Sequence, residues 1–198
     1  MVSSLLVNGI CICALLLLSD LFSIYKNSVG IGIVIQSNDN TLINNIITEP
    51  EFDGVAIFGN DRNIIKGNKI VNGRILLDLD LTFGTADDNQ VLDNTIISSG
   101  LEGIFVGGKR VVIQGNTIDQ SGENGIEVNS FTSSAGTFIS EDVIIKDNSI
   151  TNSNGDGIKI EPTSLNTVVI GNTIAGYTND AIDNQGNFTI EAGNIEVM

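Results

Sequence analysis

Short apolar segments that begin with glycine recur along the chain. The motif is Gly-hydrophobic-x-hydrophobic, as in Gly103-Ile104-Phe105-Val106 and Gly125-Ile126-Glu127-Val128. Further copies begin at Gly32, Gly54 and Gly157, and weaker ones begin at Arg74 and Ala181. Apolar residues at alternate positions place one face of a strand inward and the other outward, so each copy predicts a short half-buried β-strand.

A second motif, Asn-x-Ile, accompanies the first. Its asparagines are Asn45, Asn68, Asn94, Asn116, Asn148 and Asn172. The next Gly anchor follows nine residues later in most copies, for example from 94 to 103 and from 116 to 125. Such constant spacing indicates one structural unit of about 22 residues that is repeated through the chain.

The two motifs align four apolar columns, two after the Gly anchor and one on each side of the Asn. The second column, for instance, contains Ile35, Ile57, Leu77, Val106, Val128 and Ile160. Stacking each unit about 4.8 Å from the next buries these columns as one continuous core. The sequence therefore predicts an all-β solenoid, a single-stranded parallel β-helix of about 8 coils with three short strands each.

The Asn column has two structural explanations. Asparagine tolerates the left-handed backbone conformation of tight turns. Stacked amides also form hydrogen bonds from one coil to the next, as asparagine ladders do in cross-β stacks. Both assign these asparagines to the scaffold and not to a binding site.

These repeats resemble the pectin-lyase-like right-handed parallel β-helix superfamily, over residues 30 to 183. The resemblance implies right-handed coiling and a secreted or cell-surface location. It carries no activity with it, because the repeat encodes only the scaffold. The active-site motifs of the superfamily's polygalacturonases, mannuronan epimerases and pectate lyases are absent, apart from one Asp-Asp pair at Asp87-Asp88. The arginines Arg62, Arg74 and Arg110 are not expected beside the acidic positions described below.

Residues 1–29 precede the clear repeats and divide the chain into this segment and a β-helix domain over 30–198. The apolar stretch over residues 5–22 suggests a signal peptide or membrane anchor, but it has no basic start or small-residue cleavage site. Gly9-Ile10-Cys11-Ile12 matches the Gly anchor, so a degenerate first coil is the alternative. The incomplete coils at both ends suggest that further coils continue in a longer parent chain.

Charge narrows the candidate partners. The net charge is −15 and there is no histidine. The acidic surface excludes nucleic acid as a partner, because phosphate binding needs clustered Lys and Arg. The lack of histidine excludes imidazole-based catalysis.

Candidate chemistry lies on outward positions of the strands that follow the Gly anchor. In the last coils one outward column is Glu127, Lys159 and Asp183, and the next is Asn129, Glu161 and Gln185. Carboxylates two coils apart lie roughly 9.6 Å apart, near the upper limit for inverting glycosidases. We assign the first column as candidate catalytic residues, with Lys159 as a base or charge neutraliser, and the second as substrate-binding. The alternative is a surface ladder of ion pairs.

Two insertions interrupt the period, over residues 79–88 and 130–138. Insertions in solenoids cluster on one face, often the binding face, so we expect them to wall the ladder. Acids in and beside the first insertion are Asp78, Asp80, Asp87 and Asp88, whose oxygens suit Ca²⁺. The alternative is that these acids are simply solvated, and no cofactor is otherwise required.

Two functions remain open. The first is a non-catalytic surface module that binds polysaccharide, a cell-surface glycan or another surface. The second is a carbohydrate-active enzyme, a polysaccharide lyase or glycoside hydrolase, present as a truncated fragment. A membrane partner is expected only if residues 5–22 form an anchor.

Overall fold

The computed structural model describes residues 3–4, 10–12, 17–18, 22–25, 30–80, 84–133 and 136–197. The described chain is a parallel β-solenoid of about seven turns with a repeat of about 23 residues and no helix. Its strands form three parallel sheets of eight, eight and nine strands. The predicted solenoid with three short strands in each coil is confirmed.

Sheet I contains the strands that follow the Gly anchor: Ile10–Ile12, Ile33–Ile35, Asp53–Phe58, Arg74–Asp78, Ile104–Val106, Ile126–Val128, Ile158–Ile160 and Ile182–Asn184. Sheet II precedes the Asn column: Leu17–Leu18, Thr41–Ile43, Ile64–Lys66, Gln90–Leu92, Val112–Gln114, Ile144–Lys146, Val168–Ile170 and Ile190–Ala192. Sheet III follows it: Ser3–Ser4, Phe22–Tyr25, Ile46–Thr48, Lys69–Val71, Thr95–Ile97, Thr117–Asp119, Ser149–Thr151, Thr173–Ala175 and Ile195–Val197. A separate antiparallel hairpin joins Phe131–Ser133 to Gly136–Phe138.

The apolar columns form the core in the register that the repeat predicts. Ile104 pairs with Ile126, and Ile126 pairs with Ile158. These side chains are fully buried, as are the matching isoleucines of sheets II and III. Each strand therefore buries its core position against its copy in the next coil, and the repeat length sets the register.

Close packing explains the glycine of the Gly anchor in sheet I, where it is present. A Cβ on Gly125 would lie 2.4 Å from Cγ2 of Ile150 and 2.5 Å from the carbonyl oxygen of Gly157. A Cβ on Gly103 meets the same two kinds of neighbour, Ile118 and Gly125. The sheet III isoleucine and the next coil's backbone thus occupy the space that any larger residue needs.

The Asn column is a buried ladder of amides. The backbone N–H and Nδ2 of Asn94 both donate to Oδ1 of Asn116, at 2.9 and 3.0 Å, and Asn116 donates in the same way to Asn148. The left-handed residue is the one before each ladder position: Asn44, Gly67, Asp93, Gly115, Asp147, Gly171 and Gly193. Of the two explanations from the sequence, the coil-to-coil amide ladder is confirmed, and the turn conformation belongs to its neighbour.

The insertions lie between sheets I and II. From residue 41 onward, two residues connect sheet II to sheet III in each coil. The connections from Asp78 to Gln90 and from Val128 to Ile144, which join sheet I to sheet II, are much longer. The second insertion forms the antiparallel hairpin, and the first contains a bridge between Asp80 and Gly84. The two longest connections in the described chain therefore lie at one corner of the coil, beside the outer face of sheet I.

The segment before residue 30 is described only in part. Its strand Ile10–Ile12 pairs with the first full coil through Ile10 and Ile33, and Phe22–Tyr25 pairs with Ile46–Thr48. Residues 5–9, 13–16 and 19–21 lie outside the described residues, so the signal or anchor assigned to 5–22 stays a prediction. In the described part of the chain no helix has the length and apolarity that crossing a membrane requires.

Candidate functional site

The outer face of sheet I brings the proposed catalytic column together. Strand registers align Phe105 with Glu127, Glu127 with Lys159 and Lys159 with Asp183. Earlier in the same column, Ala56 and Leu76 are buried despite facing outward, so these positions pack within the chain. The column changes from apolar packing to charged side chains at Glu127.

Glu127 is a buried carboxyl, with only 8% of the residue exposed. Its Oε2 accepts a hydrogen bond from Nδ2 of Asn124 at 2.8 Å, and its Oε1 accepts one from Nδ2 of Asn129 at 2.9 Å. Burial raises the pKa of Glu127, although the Asn124 amide counteracts part of that shift. A carboxyl with a raised pKa that two amides hold in place is suited to donating a proton.

Lys159 faces Glu127 across the strands but forms its ion pair with Glu161, Nζ to Oε1 at 2.9 Å. The hydrogen bond to Glu161 raises the pKa of Lys159, so the amine stays protonated at neutral pH. Of its two suggested roles, this favours charge neutraliser over base. At the end of the column, Asp183 accepts a hydrogen bond from Nε2 of Gln185 at 2.9 Å.

A cluster of charges that the sequence did not predict lies beside this column. The guanidinium of Arg74 bonds to Asp53 at 2.6 Å and also to Glu102, and these side chains are only 17%, 8% and 8% exposed. A hydrogen bond with Glu102 raises the pKa of Glu123. Arg74 also lies over the ring of Phe105, 5.7 Å from the centroid. An arginine thus contacts Phe105, the residue that precedes Glu127 in the column.

The cluster arises from an irregularity in the repeat. The register between neighbouring strands shifts between Arg74 and Ile75, so that Arg74 stands opposite Asp53 while Ile75 stands opposite Val55. The sequence signal was the shorter distance from Asn68 to the anchor at Arg74, together with an arginine in place of glycine. That pattern predicts a local irregularity, but it gives no information on which carboxylates the arginine reaches.

A small cavity opens next to this cluster on the same face. Its volume is about 100 Å³, and its lining residues are Asp78, Leu79, Phe105, Gly107, Asn129, Ser130, Phe131 and Phe138. Phe131 and Phe138 come from the hairpin, so the second insertion forms one side of a concave site on the outer face of sheet I, as expected. Burial raises the pKa of Asp78, whose Oδ1 accepts the N–H of Leu79 at 2.7 Å. Three aromatic rings, a carboxyl and an amide therefore line one concave site.

The acids assigned to calcium occupy different places. Asp78 lines the cavity, while Asp80 bonds through its backbone to Gly84 at 2.8 Å. Asp88 and Asp87 accept hydrogen bonds from Arg110, at 2.7 and 3.3 Å. Among the described residues, no group of three or more Asp, Glu, Cys or His side chains is arranged to hold a metal ion. The calcium site stays a prediction.

Comparison with known proteins identifies the fold family. The family model described as "Right handed beta helix region" matches residues 22–134 and 82–196. The chain belongs to this family. The right-handed β-helix predicted from the repeats is therefore confirmed. No match was found among curated protein sequences.

Solved β-helix structures share the fold at low sequence identity. The chain resembles the periplasmic alginate epimerase AlgG with a TM-score of 0.66 and 15% identity, over 89% of this chain and 45% of that one. It resembles the A-module of the Azotobacter vinelandii mannuronan C-5 epimerase AlgE6 with a TM-score of 0.62 and 16% identity, over 84% and 55%. It resembles a mannuronic acid specific polysaccharide family 6 lyase from human gut microbiota with a TM-score of 0.51 and 17% identity, over 82% of this chain and 48% of that one. The chain thus spans about half the length of these proteins, and the likeness is one of fold.

Proposed function

We propose that this right-handed β-helix is a polysaccharide-binding module and that the outer face of sheet I is its binding surface. The observation that carries the proposal is the cavity in which Phe105, Phe131 and Phe138 meet Asp78 and Asn129. Aromatic walls with a few fixed polar groups are typical of small-molecule sites. Glu127, Lys159 and Asp183 continue from this cavity along the solenoid axis and offer further polar groups to a linear chain.

The fold of the structural neighbours supports the same class of ligand. Their names refer to alginate, mannuronan and mannuronic acid. At this low identity the comparison supports a polysaccharide-related β-helix and leaves the ligand to be found by experiment. A secreted or cell-surface location and further coils in a longer parent chain belong to the same proposal.

Binding to a panel of immobilised polysaccharides tests the proposal. We expect retention of at least one glycan, and we expect Phe105→Ala and Phe131→Ala to weaken that retention. Thermal stability should stay unchanged in Phe131→Ala, because Phe131 is 52% exposed. Phe188→Ala is the matched control, because Phe188 is 82% exposed and lies in the last coil, away from the cavity. The proposal is contradicted if no polysaccharide of the panel retains the protein, or if all three variants lose retention equally.

A second candidate function is catalysis of polysaccharide cleavage, with the chain a lyase or glycoside hydrolase. The observation that favours it is the raised pKa of Glu127 in strand register with Lys159. In this mechanism Glu127 acts as acid and Lys159 neutralises charge next to it, while Asp183 is the second carboxylate. Asn129, Glu161 and Gln185 would hold the sugar.

Product formation separates the two functions. New reducing ends indicate a hydrolase, and new ultraviolet absorbance from an unsaturated sugar indicates a lyase. We expect Glu127→Gln and Lys159→Ala to abolish such activity and Glu141→Gln to retain it, because Glu141 pairs with Lys109 away from the column. If the protein binds a polysaccharide and releases no product from it, the binding module is the supported function.

Calcium binding at Asp78, Asp80, Asp87 and Asp88 is a separate proposal. If Ca²⁺ binds these acids, its addition raises the melting temperature, because a ligand that binds only the folded state stabilises it. Asp80→Asn should then remove the shift. Equal melting curves with Ca²⁺ and with a chelator would discard the site.

A further inference from the structure

We infer that the cavity above Gly107 is a subsite for an ammonium group, and that the ligand of this face is an amino-sugar polysaccharide. The inference rests on the proposed polysaccharide binding and names the class of sugar. It differs from what the neighbouring structures suggest, since their names refer to polymers of uronic acids.

The first argument is the charge of the face. Carboxylates on or beside its outward columns are Asp78, Glu102, Glu127, Glu161 and Asp183, whereas the cations in the described part of this face are Arg74 and Lys159. The two insertions that flank it contain no lysine or arginine in their sequence. An excess of negative charge attracts cations and repels polyanions.

Both cations are already paired. Arg74 bonds to Asp53 and Glu102, and Lys159 bonds to Glu161. A uronate carboxylate that approached them would have to displace partners that are themselves partly buried. Removing one member of such a pair leaves the other charge without a partner, which is costly. A polyuronate is therefore a poor fit to this surface.

The second argument is the chemistry of the cavity. Aromatic rings attract cations through the negative potential of their faces, and aromatic cages bind quaternary ammonium groups in this way. Phe105 already has the guanidinium of Arg74 5.7 Å from its centroid, so this ring takes part in such a contact within the protein. Asp78 lines the same cavity and forms no salt bridge within the described chain, so its carboxyl can meet an ammonium group.

The third argument is size. A volume of about 100 Å³ is small beside the roughly 300–1,000 Å³ of sites that enclose a drug-sized ligand. It suits one substituent of a sugar and not a whole saccharide. Gly107 lines the cavity, and a Cβ there would lie 3.2 Å from Oδ1 of Asp78. The polymer would lie along the charged column and place one amine in the cavity.

Titration calorimetry with three oligosaccharides of equal length tests this inference. The probes are a glucosamine tetramer, its N-acetylated counterpart and a mannuronate tetramer, in mildly acidic buffer, where the free amines are protonated. We expect the glucosamine tetramer to bind about ten-fold tighter than the N-acetylated one, as a cation–π contact with a charged hydrogen bond provides. Asp78→Asn should remove that preference. Asp93→Asn, which alters an acid paired with Lys66 on another face, should preserve it.

Two outcomes overturn the inference while polysaccharide binding stands. One is equal or tighter binding of the N-acetylated tetramer, and the other is tight binding of mannuronate, with or without Ca²⁺. If no glycan binds, the proposed function fails, and tetramethylammonium then probes the cavity alone. Chemical-shift changes at Phe131 and Phe138 that disappear in Asp78→Asn support the ammonium subsite, and no changes refute it.

Discussion

The guanidinium of Arg74 lies over the ring of Phe105, with Cζ 5.7 Å from the ring centroid. This contact joins the buried charge cluster to the wall of the cavity. The same guanidinium neutralises Asp53 and Glu102, which are both buried. The stability of the scaffold and the shape of the candidate site therefore depend on one side chain.

Arg74→Met should destabilise the protein by about 3 kcal/mol at neutral pH, because it leaves two buried carboxylates without a cation. Urea unfolding of the parent and the variant measures this loss. Arg62→Met is the matched control, since the side chains of the Arg62–Asp39 pair are 52% and 54% exposed and solvent screens their attraction, so its loss should change stability little. Equal effects of the two substitutions would contradict the role given to Arg74.

Asn116→Ala should cost about 3 kcal/mol, because it removes the acceptor of two donors on Asn94 inside the core. It also removes the side-chain donor to Oδ1 of Asn148, although the backbone N–H of residue 116 still donates to that oxygen. Chemical denaturation measures the change, and Asn154→Ala, at an exposed turn position, should stay within about 0.5 kcal/mol. A ladder that contributed only to turn geometry would give similar small values at both positions.

Gly125→Ala should destabilise the solenoid by about 3 kcal/mol, because the added methyl group would overlap Ile150 and the backbone of Gly157. Gly100→Ala is the control for the change from glycine to alanine without overlap, since a Cβ at Gly100 has no neighbour within 4 Å. Thermal unfolding compares the two variants. Similar melting temperatures would show that the coils can separate locally to admit a methyl group.

The raised pKa of Glu127 predicts a dependence of stability on pH. Its folded pKa exceeds the unfolded value of about 4.3, so its contribution is complete below that pH and is lost as pH rises through the folded pKa. Glu127→Gln should therefore gain stability relative to the parent as pH rises above the unfolded value, which unfolding measured across a pH series detects.

Asp88→Asn should change the dependence of stability on pH in the opposite direction to Glu127→Gln. The hydrogen bond from Arg110 lowers the pKa of Asp88, so the parent gains stability from Asp88 as pH rises through the ordinary range of an aspartate. Parallel pH profiles for Glu127→Gln and Asp88→Asn would be inconsistent with the environments assigned to both carboxyls.

Most of the scaffold could be predicted because it repeats. The distance from each Asn to the next Gly anchor determines which residues stack, and the registers of Glu127 with Lys159 and of Lys159 with Asp183 followed from it. The candidate site was only partly predictable, since its features break the repeat. Arg74 reaches Glu102 through a register shift, and Phe131 and Phe138 reach the cavity through a hairpin whose direction the period does not determine.

The two longest connections lie at the corner between sheets I and II, while from residue 41 onward the corner between sheets II and III has one length. The hairpin that lines one side of the cavity is thus structurally separate from the interior of the solenoid. Replacing residues 130–138 with another hairpin would alter what the surface accepts without changing any stacked isoleucine or ladder amide. Recognition in this protein can diversify by exchange of a single corner, which makes that corner the natural place to engineer a new specificity.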